Sequence, residues 1–558
     1  MNGPSQIFKA APEAALFIAL AFGHALGRLK FRGFSLGGVA GCLVVALIVG
    51  QITGIVLPEA VKGVCFALFI YAVGFKSGPE FFGGLNRSSL KLVASSVVQC
   101  ATAFATVILL ARACQFGKGF SAGLGAGALT QTAMLGTAGD ALSRLGLEPD
   151  KLEQLSSQMA VGFAITYVFG TVGVIIFLRS FAPRLLGVDP KRAARELADE
   201  LGGAFSAGNN STRFVPVVAR AFQVEAGSVS SVGELSKRFD RASIERIVRD
   251  EKLVQPKAEV VLQAGDVVGI AGRLEAVLEA GKLVGREVEN REALSFEAKA
   301  VTVIITEKSL IGRSLAEVRK LLGEENLQGV YLSGLKRQGL ALPILEGTEV
   351  RRGDVMELVG RPEEVDRVAA LIGSADTSEG RSDLAFHALA IALGMLVGSL
   401  SVAIGGLPLT LGIGGGVLTA GLLFGWLHAR CPIVGGLPGP AQWVLSELGL
   451  SAFAAAVGLA AGPKAIIAIQ EHGIGLLLAG AAVTLVPLIV ALGFGRLVLQ
   501  LHPVILLGAL CGGQTVAAAL SAVNEDSAST IPVLGFTVTY AVSNVLLALG
   551  GPVIVALT

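Results

Sequence analysis

Gly127-Ala-Leu-Thr-Gln-Thr-Ala-Met-Leu135 is polar at its centre, rich in small residues at its edges, and set within apolar sequence. It has an echo near the other end of the chain, Gly508-Ala-Leu-Cys-Gly-Gly-Gln-Thr-Val516. Two further phrases recur in the same order. Val73-Gly74-Phe75 with Gly78-Pro79 returns as Val457-Gly458-Leu459 with Gly462-Pro463, and Gly162-Phe163-Ala-Ile-Thr166-Tyr167 returns as Gly535-Phe536-Thr-Val-Thr539-Tyr540. The offsets are 384 for the Gly-Pro phrase, 383 for Gln131-Thr132 against Gln514-Thr515, and 373 for the Thr-Tyr phrase. Blocks in one order at a nearly constant offset mark a duplicated half.

The chain has 558 residues, of which 53% are hydrophobic and 16% charged. Soluble proteins carry about 25% charged residues. The charges are also segregated, because residues 189–383 hold 60 of the 88. Two membrane blocks therefore flank a water-exposed insert. The net charge of +2 and the lack of a basic run give no sign of nucleic acid as a partner. The six cysteines form no CxxC pair and the five histidines no HExxH spacing, so neither a metal site nor a cofactor is expected.

Apolar runs in the first block fall at 13–29, 36–57, 60–79, 89–111, 119–143 and 157–180, and in the second at 384–404, 408–428, 440–461, 474–499, 503–522 and 531–556. Arg28, Lys30 and Arg32, then Lys76, Arg87 and Lys91, then Arg179, Arg184, Lys191 and Arg192 mark the cytoplasmic side. Those markers agree if 119–143 dips in and returns, which its polar Thr130-Gln131-Thr132 centre favours. Five crossings plus one re-entrant hairpin make an odd count, so the second block starts from the opposite side. Arg430, Arg496 and His502 then fall inside, and Lys464, Glu471 and His472 outside. The expected fold is an α-helical polytopic membrane protein of two inverted repeats.

The insert opens on a charged amphipathic stretch, Lys191 to Leu201, and continues as two similar β-rich modules. Gly265-Asp266-Val-Val-Gly-Ile-Ala-Gly272-Arg273 is matched 88 residues on by Gly353-Asp354-Val-Met-Glu-Leu-Val-Gly360-Arg361, and each phrase runs into a short helix. Val301–Ile305 and Glu259–Leu262 read as strands. This pattern resembles the ligand-sensing C-terminal module of potassium-transport regulators (the TrkA C-terminal or RCK C type). No GxGxxG is present, so dinucleotide binding is not supported. Ligand sensing and plain bracing both stay open for these modules. The domains expected are 1–188, 189–295, 296–380 and 381–558.

Gln131-Thr132 and Gln514-Thr515, with Thr130, offer side-chain donors and acceptors beside helix N-termini, which suits a small anionic solute. The alternative is that these polar groups only satisfy one another. Lys76 is placed either to pair with a carboxylate or to reach for the interface. Gly78-Pro79 and Gly462-Pro463 are expected to break their helices. Thr166, Tyr167, Thr539, Tyr540 and Asn544 either line the path or bond across helices. Asp140 and Asp526 read as solvated loop charges. Two GxSxG phrases, around Ser35 and Ser121, open apolar helices without a preceding strand; a hydrolase elbow is excluded and both serines read as helix caps.

With this block order in view, the chain resembles the aspartate:alanine exchanger family: a membrane half, two RCK C-type modules in a large cytoplasmic loop, then a second membrane half. The Gly-Pro phrases, the Gln-Thr tips and the Gly-Phe-x-x-Thr-Tyr helices carry the resemblance, which covers nearly the whole chain. Lys76 stands where the resemblance implies an arginine. What the resemblance implies is no enzyme but an elevator-type antiporter, a homodimer in the bacterial inner membrane. It would take up aspartate against alanine and work with a cytoplasmic aspartate decarboxylase. A carrier of another carboxylate, such as a dicarboxylate, is the nearest alternative. An RCK-regulated ion channel would need a filter sequence such as TVGYG, and none is present.

Overall fold

The computed structural model describes residues 11–558 except 32–33, 36, 84–88, 202–216, 226–230, 239–241, 296–298, 328, 376–381, 405–406, 411 and 432–433. The markers Arg32 and Arg87 lie outside the described residues, as do the side chains of Lys464, Glu471 and His472. The chain divides into two compact units, Met1–Leu197 with Ser378–Thr558, and Ala198–Thr377.

The first unit is helical. Its first half comprises α1 (Pro12–Arg28), α2 (Gly38–Thr53), α3 (Glu59–Gly83), α4 (Leu90–Ala113), α5 (Lys118–Ala128), α6 (Thr132–Ser143) and α7 (Pro149–Val168). Helix α7 runs on through two π-helical turns to Leu186. The second half comprises α8 (Leu384–Ser399), α9 (Gly412–Arg430), α10 (Gly439–Gly493), α11 (Pro503–Gly513), α12 (Ala517–Ser527), α13 (Pro532–Ala548) and α14 (Gly550–Leu557). Among the described residues, six spans are long and apolar enough to cross a membrane, seven if α13 and α14, bent by 40°, count as one. Helices α2 and α8, at 16 residues each, reach about 24 Å, short of the ~30 Å hydrocarbon core.

The backbone at 464–472, between the apolar runs 440–461 and 474–499, is helical: α10 is one 55-residue helix, and with the π-helical turn Phe494–Val498 after it holds the two spans Gly439–Pro463 and Gly473–Val498. Nor do Gly78-Pro79 and Gly462-Pro463 break their helices: α3 continues to Gly83 and α10 passes Pro463. A proline inside a helix releases the carbonyl four residues back. The released Phe75 oxygen lies against Gly425 of α9, and the released Leu459 oxygen against Gly50 of α2. In each case the neighbour's lack of a Cβ lets the carbonyl approach a Cα–H. The two crossings are equivalent throughout, with Gly74 on Leu418 O and Gly78 on Leu422 O in one, and Gly458 on Leu43 O and Gly462 on Leu47 O in the other. The N-cap positions of α2 and α5 belong to Gly37 and Gly117 rather than to Ser35 and Ser121; Ser35 is in a two-residue strand and Ser121 lies inside α5.

The second unit holds two five-stranded antiparallel sheets. One is built from β1 (Val217–Val224), β2 (Ala242–Arg249), β3 (Lys252–Val254), β4 (Val267–Arg273) and β5 (Gly285–Val288) in the order β3-β2-β4-β1-β5. The other, from β6 (Lys299–Ile305), β7 (Val330–Arg337), β8 (Leu340–Ala341), β9 (Val355–Gly360) and β10 (Gly373–Ala375), repeats that order as β8-β7-β9-β6-β10. Glu259–Leu262, expected as a strand, forms only an isolated bridge at Val261 with Ser231. The carbonyl of Val261 is instead taken by Arg249.

The same pin recurs in both modules. Arg249 forks onto Asp266 at 2.9 and 2.8 Å, and Arg337 onto Asp354 at 2.7 and 2.7 Å. Each aspartate also accepts a backbone N–H, from Gln263 or Arg351. The modules meet at the equivalent strands β2 and β7, where Ser243 Oγ and Tyr331 OH are 2.7 Å apart, and Arg361, just past β9, donates to Glu245 at 2.6 Å. Arg337 and Asp354 are 3% and 1% exposed. Arg337→Ala therefore strands a buried carboxylate and is expected to cost about 3–5 kcal/mol. Arg249→Ala costs less, because Arg249 is 26% exposed. Burial alone would raise the Asp266 carboxyl, but the Arg249 fork and the Gln263 N–H outweigh it and hold it below the ordinary 3.8. Its contribution is present above that value and is lost as pH falls through the lower folded one. Hydrogen exchange along Val267–Arg273 and Val355–Gly360 in the full-length variants measures both effects.

Candidate functional site

Helices α5 and α6 form one hairpin, and α11 and α12 another. At 11 or 12 residues, each arm spans only about 17 Å, half the hydrocarbon core. The hairpins meet at their tips. Thr130 Oγ1 donates to the carbonyl of Gln514 at 3.2 Å, and Thr515 Oγ1 donates to the carbonyl of Leu129 at 3.4 Å. Both threonines sit in left-handed backbone, with φ of 53° and 58°. A β-branched residue there is an outlier costing about 1–3 kcal/mol. The turn is closed identically on both sides: Gln131 N to Ala126 O and Val516 N to Cys511 O, at 2.8 and 3.1 Å.

This geometry corrects the pairing read from the sequence. Thr130 is equivalent to Thr515 and Leu129 to Gln514, an offset of 385 rather than 383. Gln131 thus falls opposite Val516, and Gln514 has no glutamine partner in the other tip. The amide of Gln131 donates instead to Asn544 Oδ1 at 3.2 Å, and Asn544 Nδ2 donates to the Tyr540 carbonyl on the same helix at 2.9 Å. Gln514, wholly buried, donates weakly to the Ala128 carbonyl. Thr132 is buried at the start of α6. Helices α6 and α12 both begin at the meeting point, and neither has a side-chain cap. Their first-turn N–H groups, with the partial positive charge of a helix N-terminus, therefore converge where the tips touch.

Thr166 and Thr539 are buried against Gly127 and Gly512. Each hydroxyl donates to its own helix, at Gly162 O (2.8 Å) and Gly535 O (2.9 Å). They serve hairpin-to-helix packing, and Tyr167 and Tyr540 pair with Phe163 and Phe536 at ring distances of 5.1 and 4.9 Å. Lys76 does not join the tips; it is exposed on α3. Two acidic residues read as solvated are held instead. Asp140 accepts from Gly414 N at 3.1 Å, in the first turn of α9, and Asp526 pairs with Arg179 at 2.8 Å.

The site also has members that sequence reasoning missed. Gln99 of α4, 1% exposed, donates to Gln514 Oε1 at 3.1 Å and to Leu510 O at 3.3 Å. Thr484 of α10 is its equivalent at the same offset of 385 and donates to Ala128 O at 3.0 Å. The signal for Gln99 is the polar face Ser95-Ser96-x-x-Gln99-Cys100 inside an apolar run, three and four residues apart.

Residues 15–183 and 386–556 match the family described as a predicted permease membrane region, the aspartate–alanine exchanger type, and residues 228–285 match the TrkA-C domain. An uncharacterized transporter of Bradyrhizobium diazoefficiens is 42% identical over 99% of this chain and 98% of its own length. One from Zymomonas mobilis is 38% identical over 98% of this chain and 97% of its own, and one from Shewanella oneidensis 34% over 100% and 99%. No solved structure matches the chain at a significant level. Hairpins too short to cross, meeting inside a bundle of apolar spans, belong to a multi-pass transporter carrying a TrkA-C domain, and this chain is a member of the aspartate–alanine exchanger family.

Proposed function

We propose that the protein is an electrogenic antiporter, taking up L-aspartate against outward L-alanine in the bacterial cytoplasmic membrane. The observation that carries this reading is the convergence of two uncapped helix N-termini at the hairpin tips, a ready site for a carboxylate. The mirrored crossings of α3 with α9 and of α10 with α2 support two inverted repeats, and the tips form the mid-membrane site of such a plan. The hairpins move with their packing helices against a scaffold that forms a homodimer, in elevator fashion. Arg28, Lys30 and Arg179 favour a cytoplasmic position for the RCK C-type modules. One negative charge enters per turnover. A cytoplasmic aspartate decarboxylase, converting aspartate and a proton to alanine and carbon dioxide, would complete a proton-motive cycle.

The test is uptake of labelled aspartate by vesicles reconstituted with the purified protein. Vesicles loaded with alanine or aspartate are expected to take up label and empty vesicles are not; an interior made positive should speed uptake into the alanine-loaded vesicles only. Equal uptake into empty vesicles would remove the exchange reading, and no aspartate uptake under any loading would remove the substrate.

A further inference from the structure

We infer that Gln99 is a specificity-determining residue that receives the ammonium group of an amino-acid substrate through its Oε1 atom. The inference rests on the exchange reading above and assigns a part of the site which that reading leaves open. Both acceptors facing the Gln99 amide, Leu510 O and Gln514 Oε1, lie on its Nε2 side. The orientation of the amide is fixed by the Leu510 carbonyl, which can only accept. Oε1 is consequently left buried without a hydrogen-bond partner. One turn earlier on the same face, Ser95 Oγ is also buried and unpartnered. Buried acceptors are nearly always satisfied, and one left open inside a transporter calls for a donor that is not always there.

The surroundings fit that assignment. The backbone beside Oε1 is Gly513, where a Cβ would overlap the Gln99 amide; even alanine at that position would push the amide away. The acceptor is neutral, so an ammonium group enters without forming a fixed ion pair that would hold it. The partner carboxylate has its own place at the N-termini of α6 and α12, adjacent to Gln514 in the chain and in the hydrogen-bond network. At the equivalent place in the other half, Ser95, Ser96 and Gln99 are replaced by Gly480, Ala481 and Thr484, and Thr484 spends its hydroxyl on Ala128 O and Gly480 O. The open acceptor is thus on one side only, as an asymmetric solute with one ammonium group requires.

The experiment compares uptake of labelled aspartate and labelled succinate, which lacks the ammonium group, in vesicles loaded with aspartate. Wild type is expected to prefer aspartate. Gln99→Leu should lower the aspartate-to-succinate ratio about ten-fold, chiefly through the KM for aspartate. Gln99→Asn, which withdraws the acceptor by one methylene, serves if the leucine variant does not fold, and should lower the ratio in the same direction. Thr484→Val should slow both solutes in proportion. Equal losses of both solutes in the Gln99 variants would make Gln99 a brace and overturn the inference. A wild type indifferent between the two solutes would overturn it too, while leaving carboxylate exchange intact. A wild type that moves neither overturns the inference together with the exchange reading.

Discussion

Gln514→Leu is expected to reduce exchange by about 100-fold while leaving the protein folded. Gln514 is buried, accepts from Gln99 Nε2, and donates to the Ala128 carbonyl. Leucine preserves the volume and removes both functions of the amide. The Ala128 carbonyl keeps its bond from Thr484, but the Gln99 N–H that faced Gln514 loses its acceptor; a buried group so stranded costs about 1–3 kcal/mol, roughly 5- to 150-fold. The backbone bond from Thr130 to the Gln514 carbonyl survives the change, so the tips still find each other. Gln131→Leu touches a single side-chain bond, to Asn544, and is expected to cost about ten-fold. Initial rates of aspartate exchange in vesicles, normalised to reconstituted protein, measure the order; equal losses in the two variants would contradict the unequal roles assigned to the two glutamines.

The second large effect concerns folding. Gly508→Ala is expected to destabilise the fold by about 3 kcal/mol or more. A Cβ on Gly508 would fall on the carbonyl oxygen of Pro532, with the carbonyl carbon and Cα of the same residue within 3.0 Å. Every obstructing atom is backbone, so no side-chain rotation relieves the overlap, and α11 and α13 must part along their length. Overpacking of that kind costs about 1–3 kcal/mol or more. The equivalent change in the first half, Gly123→Ala, meets the Met159 carbonyl in the same way and should also destabilise. Gly136→Ala makes a useful contrast: the three nearest atoms all belong to the Phe66 ring, and Phe66→Leu should restore part of the loss. Melting temperatures of detergent-solubilised variants, read by size-exclusion after heating, give the comparison.

The duplicated plan was legible because its phrases are local. Glycines that let helices touch must recur where the contact recurs, and Gly74, Gly78, Gly458 and Gly462 do. The modules were legible for the same reason, since Gly265-Asp266 and Gly353-Asp354 turn the chain into equivalent strands. The register of the tips was not. Identity pairs Gln131 with Gln514, whereas the turn is set by which residue follows the end of the helix and takes positive φ, and that residue is a threonine on both sides. Prolines 79 and 463 misled because the penalty of a missing N–H is a local rule, while the glycine that receives the released carbonyl lies hundreds of residues away. Gln99 was overlooked for the opposite reason: a single amide hardly disturbs an apolar run, and only its neighbours Leu510 and Gln514 reveal its importance.

The crossing of α3 with α9 also sets a schedule for biogenesis. The carbonyl released by Pro79 waits for Gly425, and the first-half glycines Gly74 and Gly78 wait for α9, which the ribosome reaches only after the entire soluble unit has been made. At about 5–20 residues per second, helix α3 stands in the bilayer for roughly 15–70 s before its partner arrives. Throughout that interval a glycine-lined face is open to other helices in the membrane. The nascent first half is therefore the stage at which this protein is most exposed to wrong pairings, and the stage at which an insertase or membrane chaperone has something to shield.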